Sequence, residues 1–430
     1  MKSQQDMLVF RLAMPSPIMT LLCGILIFVL IYLFSPITTD YSFRWEGVGY
    51  VVLSCLLLIV GLAIGARFVF KRVQLLAVSR RKTLKIWRCS LVVAGVGALL
   101  RIYDRAIVRG ASLSGDFFAA RESLAEAGVG LASIASAVTV PFCYVVIFMS
   151  FIVWRTGMRN FSRLLWLIPI ALFPALDAVW IGSRSSVLVL ASFILVCLLV
   201  FEVFRTHKWV LPAFVMFMVA AIWGSGLLFI SRTEQMGLDP IVSAYMSGYA
   251  EFATISDGAV AILERGDLSG MDSLLFGVIN FSQYYTHGFF EFLYLYENHK
   301  SWHSMGAYSF NVYLKFVSYM IPLGDYSSVV EDAQVRQGVF NTILGPVFID
   351  FGVLGYFFVL FLGGLIGLVS RKAMKGSVSV YPMLIYFLIC LFFAPVVSLL
   401  VFAQGLYTIT SFIFFAFLCK VLGYRAEVFR

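Results

Sequence analysis

The stretch QYYTHGFFEFLYLYENH, residues 283–299, places His287 and Glu291 four apart, so that on a helix they meet on one face. An imidazole oriented by a carboxylate is a workable general base near neutral pH. The pair is therefore the candidate for general-base chemistry. A purely polar helix surface would be built from the same two residues. His299 and His303 follow at the same spacing, which leaves a three-histidine metal site with His287 as an alternative chemistry. The Tyr and Phe rings running from Tyr284 to Tyr313 would suit sugar faces or the headgroup belt of an interfacial helix equally well.

A second group of residues is suited to an anion. RIYDRAIVRG carries Arg101, Arg105 and Arg109 at four-residue intervals, with Asp104 between them. On a regular helix the three guanidinium groups share a face and repel one another unless something anionic lies against them. Snorkelling to headgroups, with Asp104 as counter-ion, accounts for the same stripe. In GSRSS, residues 182–186, Arg184 stands among hydroxyls just before an apolar run, a combination that can cradle a phosphate at a helix N-terminus. N-capping by Ser183 or Ser185 explains the serines but not the arginine. Asp177, two turns earlier, would hold Arg184 in position. Arg232 in SRTE, Arg121 after DFFAA and Arg336 extend the theme, and a planar guanidinium fork binds two oxygens of a pyrophosphate at once. In FNTILGPVFIDFGVLG, residues 340–355, Gly345 and Pro346 predict a broken helix and Asp350 the cap of a helix beginning at Phe351.

Such residues need a scaffold, and composition says of what kind. Of 430 residues 61% are hydrophobic and only 13% charged, against about a quarter charged in a soluble domain. This excludes a soluble globular enzyme and a disordered chain, and predicts an all-α polytopic integral membrane protein. Ten apolar runs approach the roughly 20 residues that cross a bilayer: Ile18–Ile37, Val48–Phe70, Ile86–Tyr103, Leu131–Val153, Leu164–Ile181, Val187–Phe204, Trp209–Ile230, Phe351–Ser370, Tyr381–Leu400 and Leu406–Leu422. The segment from Ser231 to about Gly338 is too long and too aromatic for a linker. It reads as short helices around Ile241–Leu263, Leu274–Tyr296 and Ser309–Met320. Residues 1–430 thus form a single transmembrane domain, with the loop 231–338 within it.

Most of the 32 Lys and Arg fall in the N-terminus, alternate loops and the C-terminus. The positive-inside rule makes that side cytoplasmic, with both termini inside and the long loop outside. The net charge of +9 therefore argues topology and membrane lipids as partners before nucleic acid. The seven cysteines lie in or beside apolar runs, leaving neither a disulfide framework nor a CxxC metal site. No D-x-D, HExxH, GxSxG or P-loop pattern occurs, which argues against metal-dependent nucleotide-sugar transfer and cytosolic-type hydrolysis.

Three patches, RIYDRAIVRG with the following DFFAARESL, the GSRSS turn and FNTILGPVFIDFGVLG, together with about ten spans and one large outer loop in the second half, resemble the oligosaccharide repeat unit polymerases of bacterial surface polysaccharides, the O-antigen polymerase type. The arginine–glycine repeat described for some of those proteins is absent, so no residue is carried over through it. The resemblance implies a GT-C-like fold in the bacterial inner membrane with its active face in the periplasm. It implies transfer of a growing glycan from undecaprenyl pyrophosphate onto the next lipid-linked repeat, with a chain-length co-polymerase as a possible partner. The pyrophosphate implied by the resemblance is already a good leaving group, so no metal and no cofactor is expected. On that reading Arg184 and Arg232 bind the donor pyrophosphate and Arg101, Arg105 and Arg336 give secondary anion contacts. Asp177, Asp104 and Asp350 support, and Glu291 or His287 is the base. Two other functions fit the same pattern: an O-antigen ligase acting on lipid A core, and a non-enzymatic flippase of lipid-linked sugars. A flippase should carry its charges in mid-membrane cavities, whereas here they crowd the outer boundary.

Overall fold

A computed structural model describes residues 7–39, 41–67, 73–110, 130–158, 161–180, 185–265, 270–299, 302–318, 321, 330, 333–336, 339–424 and 426–429. Strand β1 (Met7–Ala13) leads into helix α1 (Pro17–Phe34), strand β2 (Ile37–Thr38) and helix α2 (Trp45–Ala66). Strand β3 (Val73–Ser79) runs straight into α3 (Arg80–Tyr103), which widens into a π-helical turn at Asp104–Val108. There follow α4 (Leu131–Thr139), α5 (Phe142–Arg155), α6 (Ile168–Trp180), α7 (Ser185–Val200) and α8 (Val210–Gln235). The long segment after them holds α9 (Pro240–Tyr245), β4 (Thr254–Ile255), α10 (Asp257–Arg265), α11 (Gly270–Asn298) and α12 (Asn311–Ser318). The chain continues through α13 (Leu344–Phe351), α14 (Gly355–Met374), α15 (Tyr381–Phe392), α16 (Phe402–Val421) and β5 (Ala426–Phe429).

Among the described residues six helical stretches are long and apolar enough to cross a membrane: Pro17–Phe34, Trp45–Ala66, Leu131–Arg155, Val210–Ser231, Leu344–Met374 and Gln404–Val421. Leu164–Trp180, Ser186–Val200 and Val378–Phe392 are shorter apolar helices. The helix expected over Tyr381–Leu400 ends at Phe392. Beyond it the backbone is irregular yet deeply buried, with Val396 and Ser398 1% and 2% exposed. Such backbone is tolerated at membrane depth only when protein groups satisfy it. Here Ile343 N–H donates to Ala394 O at 3.0 Å and Ser398 N–H to Asn341 O at 3.0 Å, and the Tyr386 hydroxyl donates to Leu399 O at 2.6 Å.

The purely helical expectation also misses two small antiparallel sheets. The larger has the order β1-β3-β5, with Phe10 opposite Leu76 and Ala77 opposite Glu427. Its alternate residues Phe10, Leu12, Leu76 and Val78 are buried in the main core, the period-2 pattern of a half-buried strand. The sheet gathers both ends of the described chain and the α2–α3 connection at one end of the helices. Since α1 and α3 both start there, Phe34 and Tyr103 lie at the opposite end. There β2 pairs with β4, Ile37 opposite Ile255, and ties the long segment to the far end of α1.

Helices α2 and α14 touch backbone to backbone. A methyl group on Gly61 or Gly65 would overlap the carbonyl oxygen of Leu360 or Gly364, and one on Gly363 or Gly367 would meet that of Leu58 or Leu62. Four-residue glycine spacing is how helices in lipid gain close packing without a hydrophobic drive. A Cβ on Gly364, one residue along, meets open space. Gly363→Ala is therefore expected to cost about 1–3 kcal/mol of overpacking and Gly364→Ala almost nothing. Thermal unfolding of the two purified variants checks the difference.

Candidate functional site

Helix α11 presents an unusual buried face. Asn280, Gln283, His287 and Glu291 follow one another at three- and four-residue steps and are all 5% exposed or less. A polar stripe on the covered side of a helix must be hydrogen-bonded or costs several kcal/mol. Gln283 Nε2 donates to Ala253 O at 3.0 Å. Glu291 Oε1 accepts from Arg336 Nη1 at 2.6 Å. The same guanidinium reaches Glu251 Oε2 at 2.5 Å through Nη2, donates to Gly248 O at 3.1 Å and lies 5.0 Å from the centre of the Phe252 ring. One arginine thus holds two carboxylates and a carbonyl, joining α11 to the 248–252 turn and to the strand of chain before α13.

His287 and Glu291 share a face as the spacing requires, but they do not form a dyad. The Glu291 carboxylate turns to Arg336, whose charge competes better for it than a neutral imidazole. His287 Nδ1 instead lies 3.1 Å from Gln283 O, and the ring packs against Tyr249, Tyr284 and Phe340 with centroids 4.3, 5.8 and 5.9 Å away. With Nδ1–H donating to that carbonyl, Nε2 carries the lone pair, and it is buried without a hydrogen-bond partner. The two groups titrate in opposite directions. Burial pushes His287 down to about 4, against the pull of its backbone hydrogen bonds and with the Arg336 charge adding to the fall. Burial pushes Glu291 up to about 8 despite the opposing Arg336 charge, and Glu251 adds to the rise. His287 is thus neutral across the physiological range and Glu291 changes charge close to it.

Glu291 opens onto a small pocket that Tyr294, Tyr308, Gln334, Arg336 and Asn341 also line. Gln334 Nε2 donates to the Tyr308 hydroxyl at 2.7 Å, leaving the lining rich in oriented polar groups beside aromatic edges. Next to the lining residue Ile349 stands Asp350, which is fully buried. Its Oδ1 accepts from Ser304 Oγ, Gly306 N–H and Tyr308 N–H at 2.5, 2.9 and 3.1 Å, and its Oδ2 from Ser309 N–H at 2.9 Å. Asp350 is therefore not the cap expected for a helix starting at Phe351. It ends α13 and organises the 304–309 turn, while α14 begins at Gly355 after a break at Gly352, whose φ of +54° suits glycine. Pro346 sits in the first turn of α13 and does not make that break.

The arginine stripe forms a second nest at the far ends of α3 and α6. Arg105 donates from Nη1 to Asp177 O at 2.6 Å and from Nη2 to Asp177 Oδ2 at 3.0 Å, and stands 5.9 Å from the Trp180 ring centre. Arg101 Nε lies 3.6 Å from the same carboxylate. Arg109 Nε lies 3.2 Å from Asp104 Oδ2, and its Nη2 donates to Ser133 Oγ at 2.7 Å. The π-turn breaks the four-residue register, so Arg109 goes to Asp104 while Arg101 and Arg105 share Asp177. Asp177 was expected to position Arg184, which lies outside the described residues; in the structure it holds Arg101 and Arg105, because α6 packs alongside α3. Three arginines thus converge on the carboxylates of Asp104 and Asp177.

Protein-family models, curated proteins and solved structures were all compared with the chain, and none matches it. Arg184 and Arg121 lie outside the described residues, and so does the side chain of Arg232, whose backbone belongs to α8. His299 and His303 rings are 5.1 Å apart, but His303 Nδ1 is engaged by Ile349 O at 3.3 Å. Among the described residues no three His, Cys, Asp or Glu side chains converge on a metal position. Sequence reasoning overlooked Glu251, Phe252, Gln334 and Asn341. Asn280 and Gln283 offered a visible signal, since they extend the His287–Glu291 spacing back along the same face.

Proposed function

We propose that this chain is a glycosyltransferase that polymerises lipid-linked oligosaccharide repeats at the outer face of a bacterial inner membrane. It would transfer the growing glycan from undecaprenyl pyrophosphate to the next lipid-linked repeat. The observation that carries the reading is Glu291: a buried carboxyl whose proton affinity falls near neutral pH, gripped by a guanidinium and facing a polar pocket at the end of the helices far from the sheet. A general base works best when its pKa lies near the operating pH, which favours Glu291 over a His287 held near 4.

The acceptor hydroxyl oxygen attacks the anomeric carbon of the donor sugar. The bond from that carbon to the pyrophosphate oxygen breaks, its electron pair leaves with the pyrophosphate, and the hydroxyl proton passes to ionised Glu291. The α3–α6 nest, which gathers three guanidinium groups, suits the anion that develops on the leaving group. Arg336, committed to Glu251 and Glu291, serves the base rather than the pyrophosphate. The ten-span topology, a GT-C-like arrangement, cytoplasmic termini and a chain-length co-polymerase partner belong to the same proposal.

Deleting the gene in its host and running the surface polysaccharide on a gel tests it. Loss of a polymerase leaves a single repeat attached to the core. A ligase deletion would leave none there, and a deletion strain with an unaltered ladder would overturn the proposal.

A further inference from the structure

The sheet end of α3 carries Arg80, Arg81, Lys82, Lys85 and Arg88 within its first nine residues, all exposed. The sequence from Gln74 to Tyr103 contains no Asp or Glu, the first turn has no acidic residue and Ser79 makes no side-chain cap. Cations at this end oppose the helix dipole, whose N-terminus is already positive. Among the described residues none of Arg81, Lys85 and Arg88 meets a carboxylate within ion-pair distance. Lys82 donates from Nζ to Gly423 O at 2.7 Å.

The same face continues differently. Stepping by three and four residues, Arg81, Lys85 and Arg88 are followed by Val92, Val96 and Leu99, which are 63, 48 and 69% exposed. The opposite face of α3, with Ile86, Trp87 and Ala94, is buried in the core. One uncovered stripe thus runs from three cations into three bare apolar side chains, within a helix that rises 1.5 Å per residue. That is the profile of a single phospholipid standing beside the helix, its phosphate at the charged turns and its acyl chains along the valines and the leucine.

We propose that this stripe of α3 binds an anionic phospholipid in preference to a zwitterionic one. The charge selects the headgroup, and the apolar half distinguishes a lipid from a free phosphate. The site lies at the sheet end of the molecule, away from Glu291 and the arginine nest, and it does not depend on the activity proposed above.

The test is native mass spectrometry of the purified protein incubated with equal amounts of phosphatidylglycerol and phosphatidylcholine. Wild type should retain the anionic lipid in roughly tenfold excess, given the attraction of clustered surface cations for such headgroups. Raised salt should erode that excess, because the cations are exposed. Combining Arg81→Gln, Lys85→Gln and Arg88→Gln should abolish it, and Arg81→Lys with Arg88→Lys should keep it. Inorganic phosphate at matched concentration should not displace the lipid. Equal retention of the two lipids by wild type overturns the proposal. So does a preference that survives high salt, a readout still available if the triple variant fails to insert.

Discussion

Glu291→Gln should lower polymerisation by about two to four orders of magnitude, the usual contribution of a positioned general base, while the protein still inserts and folds. Glutamine keeps an acceptor oxygen for Arg336 Nη1 and removes only the proton-accepting charge. The pH dependence of wild type gives a sharper readout. Folding raises the Glu291 carboxyl from its ordinary 4.5 to about 8, so the active, ionised form accumulates as pH climbs through about 8, and the rate should climb with it. Stability runs the other way. The neutral carboxyl is the form the fold prefers, so its contribution is full below about 4.5 and is lost as pH rises through about 8. Rate and stability should therefore cross in the same window, and both dependences should flatten in Glu291→Gln. Chain-length ladders made by reconstituted protein, paired with melting curves over pH 6 to 9, measure the two together. A Glu291→Gln enzyme retaining half of wild-type activity would remove Glu291 from the mechanism.

Asp350→Ala should be the most damaging single substitution for the fold of the site. It leaves the Ser304 hydroxyl and the amides of Gly306, Tyr308 and Ser309 buried beside a methyl group. Removing the acceptor from a buried, charge-assisted network costs about 3–5 kcal/mol, a large share of the stability of a domain. Asp350→Asn should cost less. It keeps an oxygen where Oδ1 accepts three of the bonds and misplaces only the NH2 group against Ser309 N–H. The graded order, wild type above Asn above Ala, is read from thermal unfolding. Proteolytic nicking around residues 304–309 gives an independent measure. If Asp350→Ala melts with wild type, the turn does not depend on this carboxylate.

Hydropathy located the long apolar helices and placed His287 and Glu291 on one helix face, because both depend on local periodicity. It failed where partners are remote. Asp350 sits where an N-cap would, yet its donors lie some 40 residues upstream, and nothing local distinguishes the two roles. Asp177 and the arginines of α3 meet only because α6 packs alongside, and no feature of RIYDRAIVRG announces the π-turn that divides them. The buried coil after Phe392 is as apolar as a helix, so hydropathy runs straight through it; Pro395 was the available warning. Strands β1 and β3 are only seven residues each, with clear alternation confined to Val9–Leu12 and Gln74–Leu76, a pattern easily lost beside 18-residue helices.

The β1-β3-β5 sheet has a consequence for how the molecule is made. Its middle strand can pair with β1 as soon as the first two helices have entered the membrane, whereas β5 leaves the ribosome only after every helix described here. The early hairpin-like half waits, with one edge open, through the synthesis of the entire bundle. Closing that edge requires the last helix to have crossed in the correct direction, because a reversed α16 would deliver β5 to the wrong surface. The sheet is therefore complete only once the first strand and the last have reached the same end of the helices.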